Sequence, residues 1–201
     1  MKNKGILIVL SGPAGTGKGT VCKEFIKRNP DTVISVSATT RQPRPGEEHG
    51  REYYFVSKAE FEERIKNDGF LEYAQFCDNF YGTPLSEVNE KLENGINVIL
   101  EIEVQGAMQI KKKVPEAVLV FIAPPSKKVL RERIEGRGTE TADVIDKRLK
   151  VAETELCMIE NYDYVIVNDE VEKAVIRFEF IKNAERFKVS RNKIFIQEVC
   201  K

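Results

Sequence analysis

Histidine is almost missing from this chain. His49 is the single example, and it lies in a stretch of proline, glycine and charged residues, where it reads as a solvated loop residue. That argues against a His-based catalytic dyad and against a multi-histidine metal site. Cysteine is nearly as scarce: Cys22, Cys77, Cys157 and Cys200 are scattered, with neither metal-ligand spacing nor a disulfide framework. No protein metal site is expected. An excess of one charge is also lacking, since Lys plus Arg and Asp plus Glu both total 32. No overall field favours a nucleic acid or an anionic membrane, so any anion specificity must be local. Long hydrophobic runs are absent too. Met1-Lys2-Asn3-Lys4 leads into an apolar stretch, Ile6 to Leu10, too short for a signal segment or a membrane span, and a cytoplasmic protein is expected. There is no internal repeat and no low-complexity segment.

What remains is ordinary globular material, 201 residues with 41% hydrophobic content, enough for one substantial core and a small insertion or mobile lid. Gly5 to Leu10, Val33 to Val36, Val98 to Ile102, Val118 to Ile122 and Tyr164 to Val167 are short apolar or β-branched runs, as expected of strands covered on both faces. Stretches of helical pattern fall between them: Lys18 to Lys27, Pro84 to Leu92, Ser126 to Ile134, Thr141 to Glu160 and Val171 to Phe187. The alternation predicts an α/β fold around a parallel sheet. Thr83-Pro84 reads as a helix N-cap and first helical residue, Ser57 with Glu60 as a capping box, and Gly95 as a helix end needing positive φ. The block from Tyr53 to Phe80 breaks the rhythm with aromatic strand patterns, Tyr53 to Val56 and Phe70 to Ala74, around one helix, and reads as an inserted subdomain. Ile194-Phe195-Ile196 in the tail has a strand-like pattern.

Directly after the first buried run comes Gly12-Pro13-Ala14-Gly15-Thr16-Gly17-Lys18-Gly19-Thr20. Strand, glycine-rich loop, lysine and helix coincide as a P-loop requires. Glycines let backbone N–H groups converge on phosphate oxygens, the helix N-terminus adds partial positive charge, and Lys18 contributes a mobile full charge. The hydroxyl expected directly after the lysine is replaced by Gly19, with Thr20 one place later. Because Mg²⁺ keeps several waters and binds nucleotide phosphates, this loop still accommodates Mg-ATP.

A second anion site is suggested by Ser37-Ala38-Thr39-Thr40-Arg41-Gln42-Pro43-Arg44, where prolines stiffen a loop carrying two guanidinium groups. This segment, with Gly50 to Phe55, resembles the GMP-binding segment of guanylate kinases. The resemblance continues in order through Phe70 to Ala74, Asn79 to Thr83, Glu101 to Gly106, Ala123 to Ser126, Gly136 to Thr141 and Val167-Asn168-Asp169. It implies the P-loop nucleoside monophosphate kinase fold: a parallel five-stranded core sheet flanked by helices, with a small mixed α/β GMP-binding insertion and a lid. A single domain over 1–187 is then expected, with a core at 1–35, 97–125 and 160–187, a GMP-binding region at 36–96, a lid over 126–159 and a tail at 188–201.

The same resemblance implies transfer of the ATP γ-phosphate to GMP, and to dGMP, giving ADP and GDP in purine nucleotide metabolism and GMP recycling. It assigns the GMP phosphate to Ser37, Arg41, Arg44, Tyr53 and Tyr81. Guanine presents adjacent N–H donors, which a carboxylate can accept together, and the resemblance gives that role to Glu72, supported by Thr83 and Glu103. Thr83 stands for the family's commoner serine, and Glu103 for an aspartate. Lys18, Arg44, Arg137 and Arg148, with Mg²⁺, would neutralise charge as a GMP oxygen attacks in line. ATP would contact Gly12 to Thr20, Arg137 and Asn168, whereas Arg131 and Arg133 read as solvating their helix. Two other readings compete. A scaffold-type binding module of this fold is opposed by the intact P-loop and arginines, and a kinase for AMP or a ribose phosphate is opposed by Glu72 with Thr83.

Overall fold

The computed structural model describes residues 3–76, 78–136 and 142–200. The chain begins β1 (Leu7–Ser11), α1 (Lys18–Arg28), β2 (Thr32–Ile34), β3 (Ser37–Thr39), β4 (Tyr53–Phe55) and α2 (Lys58–Lys66). It continues β5 (Phe70–Phe76), β6 (Asn79–Pro84), α3 (Leu85–Glu93), β7 (Asn97–Glu101), α4 (Val104–Lys113) and β8 (Val118–Ala123). The last elements are α5 (Lys127–Glu135), α6 (Ala142–Leu156), β9 (Tyr164–Val167), α7 (Val171–Arg186) and α8 (Lys193–Val199).

Period-two alternation builds the core. In β1 Ile8 and Leu10 enter one hydrophobic cluster and Leu7 and Val9 the other, so the strand is buried on both faces. The first cluster is completed by Val21, Cys22 and Phe25 of α1 and by Ala174, Val175 and Phe178 of α7. Phe25 and Phe178 stack with ring centroids 4.1 Å apart. On the other face Val88 and Leu92 of α3 and Ala107 and Ile110 of α4 close the second cluster. The resulting five-stranded sheet has the order β2-β7-β1-β8-β9, and all its pairings are parallel. The helices that follow β1 and β7 lead to opposite sides of the sheet order, which leaves a crevice beyond the C-terminal ends of those strands.

A second sheet of order β4-β3-β6-β5 mixes parallel and antiparallel pairs. It packs on α2 through Phe61, whose ring lies 4.3 Å from that of Phe70 and 5.5 Å from that of Phe80. Ser57 and Glu60 form the expected capping box at the start of α2, and Gly95 takes φ +77° just beyond α3.

Two local expectations are corrected, and one strand is added. Pro84, not Thr83, is the N-cap of α3, and no side chain caps that end, because the Thr83 hydroxyl is committed to Glu72. β6 was not evident as a strand, since Gly82 and Pro84 spoil its pattern; pairing with β5 on one side and β3 on the other imposes it. The strand-like Ile194-Phe195-Ile196 lies in helix α8, a segment without a sheet edge to join.

Candidate active site

The loop from β1 to α1 turns under the first helical turn, with Gly17 as N-cap at φ +84°. A Cβ on Gly17 would lie 2.6 Å from Nδ2 of Asn168, so both backbone conformation and close approach require glycine here. Asn168, at the end of β9, donates from Nδ2 to the Thr16 carbonyl at 2.7 Å, while its buried Oδ1 has no partner among the described residues. Thr16 turns its own hydroxyl inward to the Pro13 carbonyl at 2.8 Å. Lys18 folds its ammonium over the loop, donating to the carbonyls of Gly12 and Pro13. The missing hydroxyl at position 19 has a structural counterpart: a Cβ there would already stand 3.3 Å from Oε1 of Glu101. Burial raises the Glu101 carboxyl above the usual carboxylate range, against the pull of Lys18 and Lys23.

Beyond the strand ends opens a cleft of about 800 Å³, lined among others by Ser37, Tyr53, Glu72, Tyr81, Glu103 and Glu155. Glu72 is 6% exposed. It sits on β5 beside a register shift between Phe70 and Glu72, which allows three consecutive residues, Phe70, Leu71 and Glu72, to be buried together. Thr83, its cross-strand partner on β6, donates its hydroxyl to Oε1 of Glu72 at 2.6 Å. Burial pushes the Glu72 carboxyl upward, and the hydrogen bonds from Thr83 act in the opposite sense. On its far side the carboxylate meets Gly106 of α4, where an added Cβ would fall 2.8 Å from Oε2.

The phenol and guanidinium groups gather on the neighbouring strands. Ser37 pairs in register with Tyr53, and Thr39 with Tyr81. The rings of Tyr53 and Tyr81 meet edge-on at 6.0 Å, and the Arg41 guanidinium lies 5.5 Å from the centre of Tyr53. Arg41 is paired with Glu47, from Nη2 to Oε1 at 3.0 Å and to Oε2 at 2.9 Å, and Glu47 also accepts from the Arg44 backbone N–H at 2.8 Å. The Arg44 side chain is exposed.

The family model described as guanylate kinase matches residues 4–184. The chain belongs to the guanylate kinase family. It is 55% identical over 192 residues to a guanylate kinase of Latilactobacillus sakei, covering 95% of each chain. It is 53% identical over 198 residues to one of Clostridioides difficile, covering 98% of this chain and 97% of that one. The crystal structure of guanylate kinase from Anaplasma phagocytophilum superposes with a TM-score of 0.74 at 36% identity, covering 94% of this chain and 90% of that chain. Enzymes of the guanylate kinase family phosphorylate GMP with ATP, and this member is a kinase.

Most of the residues that the guanylate kinase resemblance singled out converge. Ser37, Tyr53, Glu72, Tyr81 and Glu103 line one cleft, with Thr83 bonded to Glu72 and Arg41 against Tyr53. Arg148 is half-buried on α6. Arg137 lies outside the described residues. Thr20 is exposed on the first turn of α1. Among the described residues no group of His, Cys, Asp and Glu could hold a metal ion, and no helix is long and apolar enough to cross a membrane.

Three contributors escaped sequence reasoning. Arg133 does not merely solvate its helix: it donates to the carbonyls of Asn168 at 3.0 Å and Thr16 at 3.5 Å, fastening α5 to the phosphate loop. Its position three residues after buried Leu130 was the available signal. Arg131, by contrast, pairs on the surface with Glu135 at 3.3 Å, as expected. Gly106 fell within the resembling segment Glu101 to Gly106 but was given no role, and Glu155, which lines the cleft, gave no signal, since what packs against each is set by the fold.

Proposed function

We propose that this chain transfers the γ-phosphoryl group of ATP to the phosphate of GMP, and of dGMP, yielding ADP and GDP. The observation that carries the reading is the buried Glu72 carboxylate, held by Thr83 in the lining of a cleft that Tyr53 and Tyr81 also line, with Arg41 against Tyr53. An ionised carboxylate accepts both adjacent donors of guanine, whereas adenine offers an acceptor at the same place. Arg41, Arg44, Tyr53, Tyr81 and Ser37 would hold the acceptor phosphate, and Glu103 would support the base.

ATP would enter as its magnesium complex. The metal would be held by the phosphates and water, and Thr20 is the P-loop hydroxyl left to approach it, since that of Thr16 is turned to the Pro13 carbonyl. Backbone N–H groups of the loop from Gly12 to Thr20, Pro13 excepted because it has none, would hold the phosphates, with Lys18 leaving the carbonyls of Gly12 and Pro13 for phosphate oxygens. Asn168 would serve ATP binding through the loop it holds, by its bond to the Thr16 carbonyl. Lys18, Arg44, Arg137 and Arg148 would then stabilise charge during in-line transfer. The attacking phosphate oxygen is already anionic, so no strong general base is required. A site in the cytoplasm accords with these substrates.

Coupled ADP release with Mg-ATP and GMP, dGMP, AMP, CMP or UMP offered separately tests the reading. GMP should be preferred by orders of magnitude over AMP. Equal turnover of the two would remove the role given to Glu72, and turnover of none would leave a binding module.

A further inference from the structure

β5 ends the second sheet, and among the described residues no strand runs along its outer edge. An open edge leaves main-chain N–H and C=O groups without ladder partners. Here side chains of α4 take the place of a strand. Gln109 accepts from the Tyr73 N–H through Oε1 at 3.3 Å and donates from Nε2 to the Tyr73 carbonyl at 3.0 Å. A carboxamide is among the few side-chain groups that can do both at once. One helical turn on, Lys113 donates to the Phe70 carbonyl at 2.9 Å. With Gly106, which faces the Glu72 carboxylate, Gln109 and Lys113 form one stripe at i, i+3 and i+7 along the helix.

The helix that carries this stripe belongs to the core, since Ala107 and Ile110 are buried in the cluster that holds Leu7 and Val9 of β1. Leu71 of β5 enters that same cluster, while Phe70 enters the small cluster of the second sheet. β5 is therefore the seam between the two sheets, and its ladder with β6 shifts register between Phe70 and Glu72. A shifted ladder is locally disrupted, so the fastening on the α4 side bears on where Glu72 stands. Resting on the GMP reading above, we propose that Gln109 is a positioning residue for base selection, fixing through Tyr73 the main chain from which Glu72 reaches guanine.

The Tyr73 N–H belongs to the planar peptide unit that begins at Glu72, so its bond to Gln109 orients the backbone at the root of the Glu72 side chain. Thr83 holds the other end, with its hydroxyl 2.6 Å from Oε1. Root and tip are thus fixed from different elements, α4 and β6. The root is the one tied to the core, because α4 follows β7, the neighbour of the β1 strand that runs into the phosphate loop. Gln109 in this way sets the place of the base-reading carboxylate relative to the phosphate donor site. A misplacement of about 1 Å at such a group can cost about a hundredfold in rate.

The test is Gln109→Met, which keeps the length and helix propensity of the side chain but has no donor and only a weak acceptor. KM for GMP should rise about tenfold, with kcat and the KM for Mg-ATP within about twofold of native. Hydrogen exchange followed by NMR should show the Tyr73 amide losing about tenfold in protection. In a Glu72→Ala background the same substitution should change kcat/KM for GMP by less than about twofold, because the carboxylate it positions is gone. Native-like protection of the Tyr73 amide, or an equal loss of kcat/KM in both backgrounds, overturns the proposal. A lowered melting temperature with the KM values for GMP and Mg-ATP rising together also overturns it, and makes Gln109 a packing residue only. Failure of the native enzyme to turn over GMP would overturn the GMP reading instead, while Tyr73 exchange would still report on the clamp, so the two failures are distinguished.

Discussion

On the proposed function the phosphate loop and the acceptor wall would each hold a phosphorylated ligand, but with different material. The loop from Gly12 to Thr20 uses main chain from one contiguous segment, set by Gly17 in a left-handed conformation and fastened from below by Asn168 and Arg133. The acceptor wall uses side chains from separate elements. Ser37 comes from β3, Tyr53 from β4, Glu72 from β5, Tyr81 and Thr83 from β6, and Glu103 and Gly106 from the start of α4. A main-chain cradle recognises phosphate whatever base is attached, whereas a buried, oriented carboxylate distinguishes one base from another. On the proposed function, nucleotide binding would thus be generic on one side and selective on the other.

The largest effects should come from the cores beneath the two regions. Phe178→Ala removes a fully buried ring stacked on Phe25 and is expected to lower stability by about 3–5 kcal/mol in urea denaturation. Phe61→Ala, equally buried beneath the second sheet, should act mainly on that sheet, weakening GMP binding more than ATP binding in calorimetry. Equal loss of both ligands would mean that the two regions are not separable.

Lys18→Ala should reduce kcat by about 10²–10³-fold for every accepted acceptor, as expected on removing one electrostatic stabiliser of the transition state. A selective loss for GMP alone would contradict the generic character of the loop. Glu72→Gln should reduce kcat/KM for GMP by about 10²-fold, because one donor of guanine then faces an amide donor. Relative use of AMP should rise, since an amide both donates and accepts as adenine requires; the ratio of the two acceptors in steady-state assays measures this directly.

The smallest effect, and the sharpest, is expected at Gly106. Alanine there intrudes on Oε2 of Glu72, a movable carboxylate tip, so KM for GMP should rise about tenfold from misplacement of that group. Stability should not fall, because alanine is the better helix former by about 1 kcal/mol. A melting temperature that drops with GMP affinity unchanged would make Gly106 a packing residue only.

The contrast between the two regions also governs what could be read in advance. The phosphate loop was legible because strand, glycines, lysine and helix are neighbours in sequence, and the five core strands were legible because burial on both faces leaves unbroken apolar runs. Glu72, Tyr53 and Tyr81 were legible only through their ordered likeness to a family, since a glutamate in an aromatic strand is by itself unremarkable. β6 was missed because its pairing partners, rather than its own pattern, make it a strand. Thr83 was given to the helix end because local capping rules cannot weigh a carboxylate eleven residues away, on the facing strand.

The amino-acid sequence by itself therefore determined the α/β class, the parallel core and the glycine-rich loop that opens α1, all of which follow from short-range periodicity and backbone conformation. Only the tertiary structure decided that Thr83 orients Glu72, that Gly106 leaves room for it and that Arg133 braces the phosphate loop. Each of these depends on the distance between groups apart in the chain, and those distances exist only once the two sheets and the helices beside them have packed.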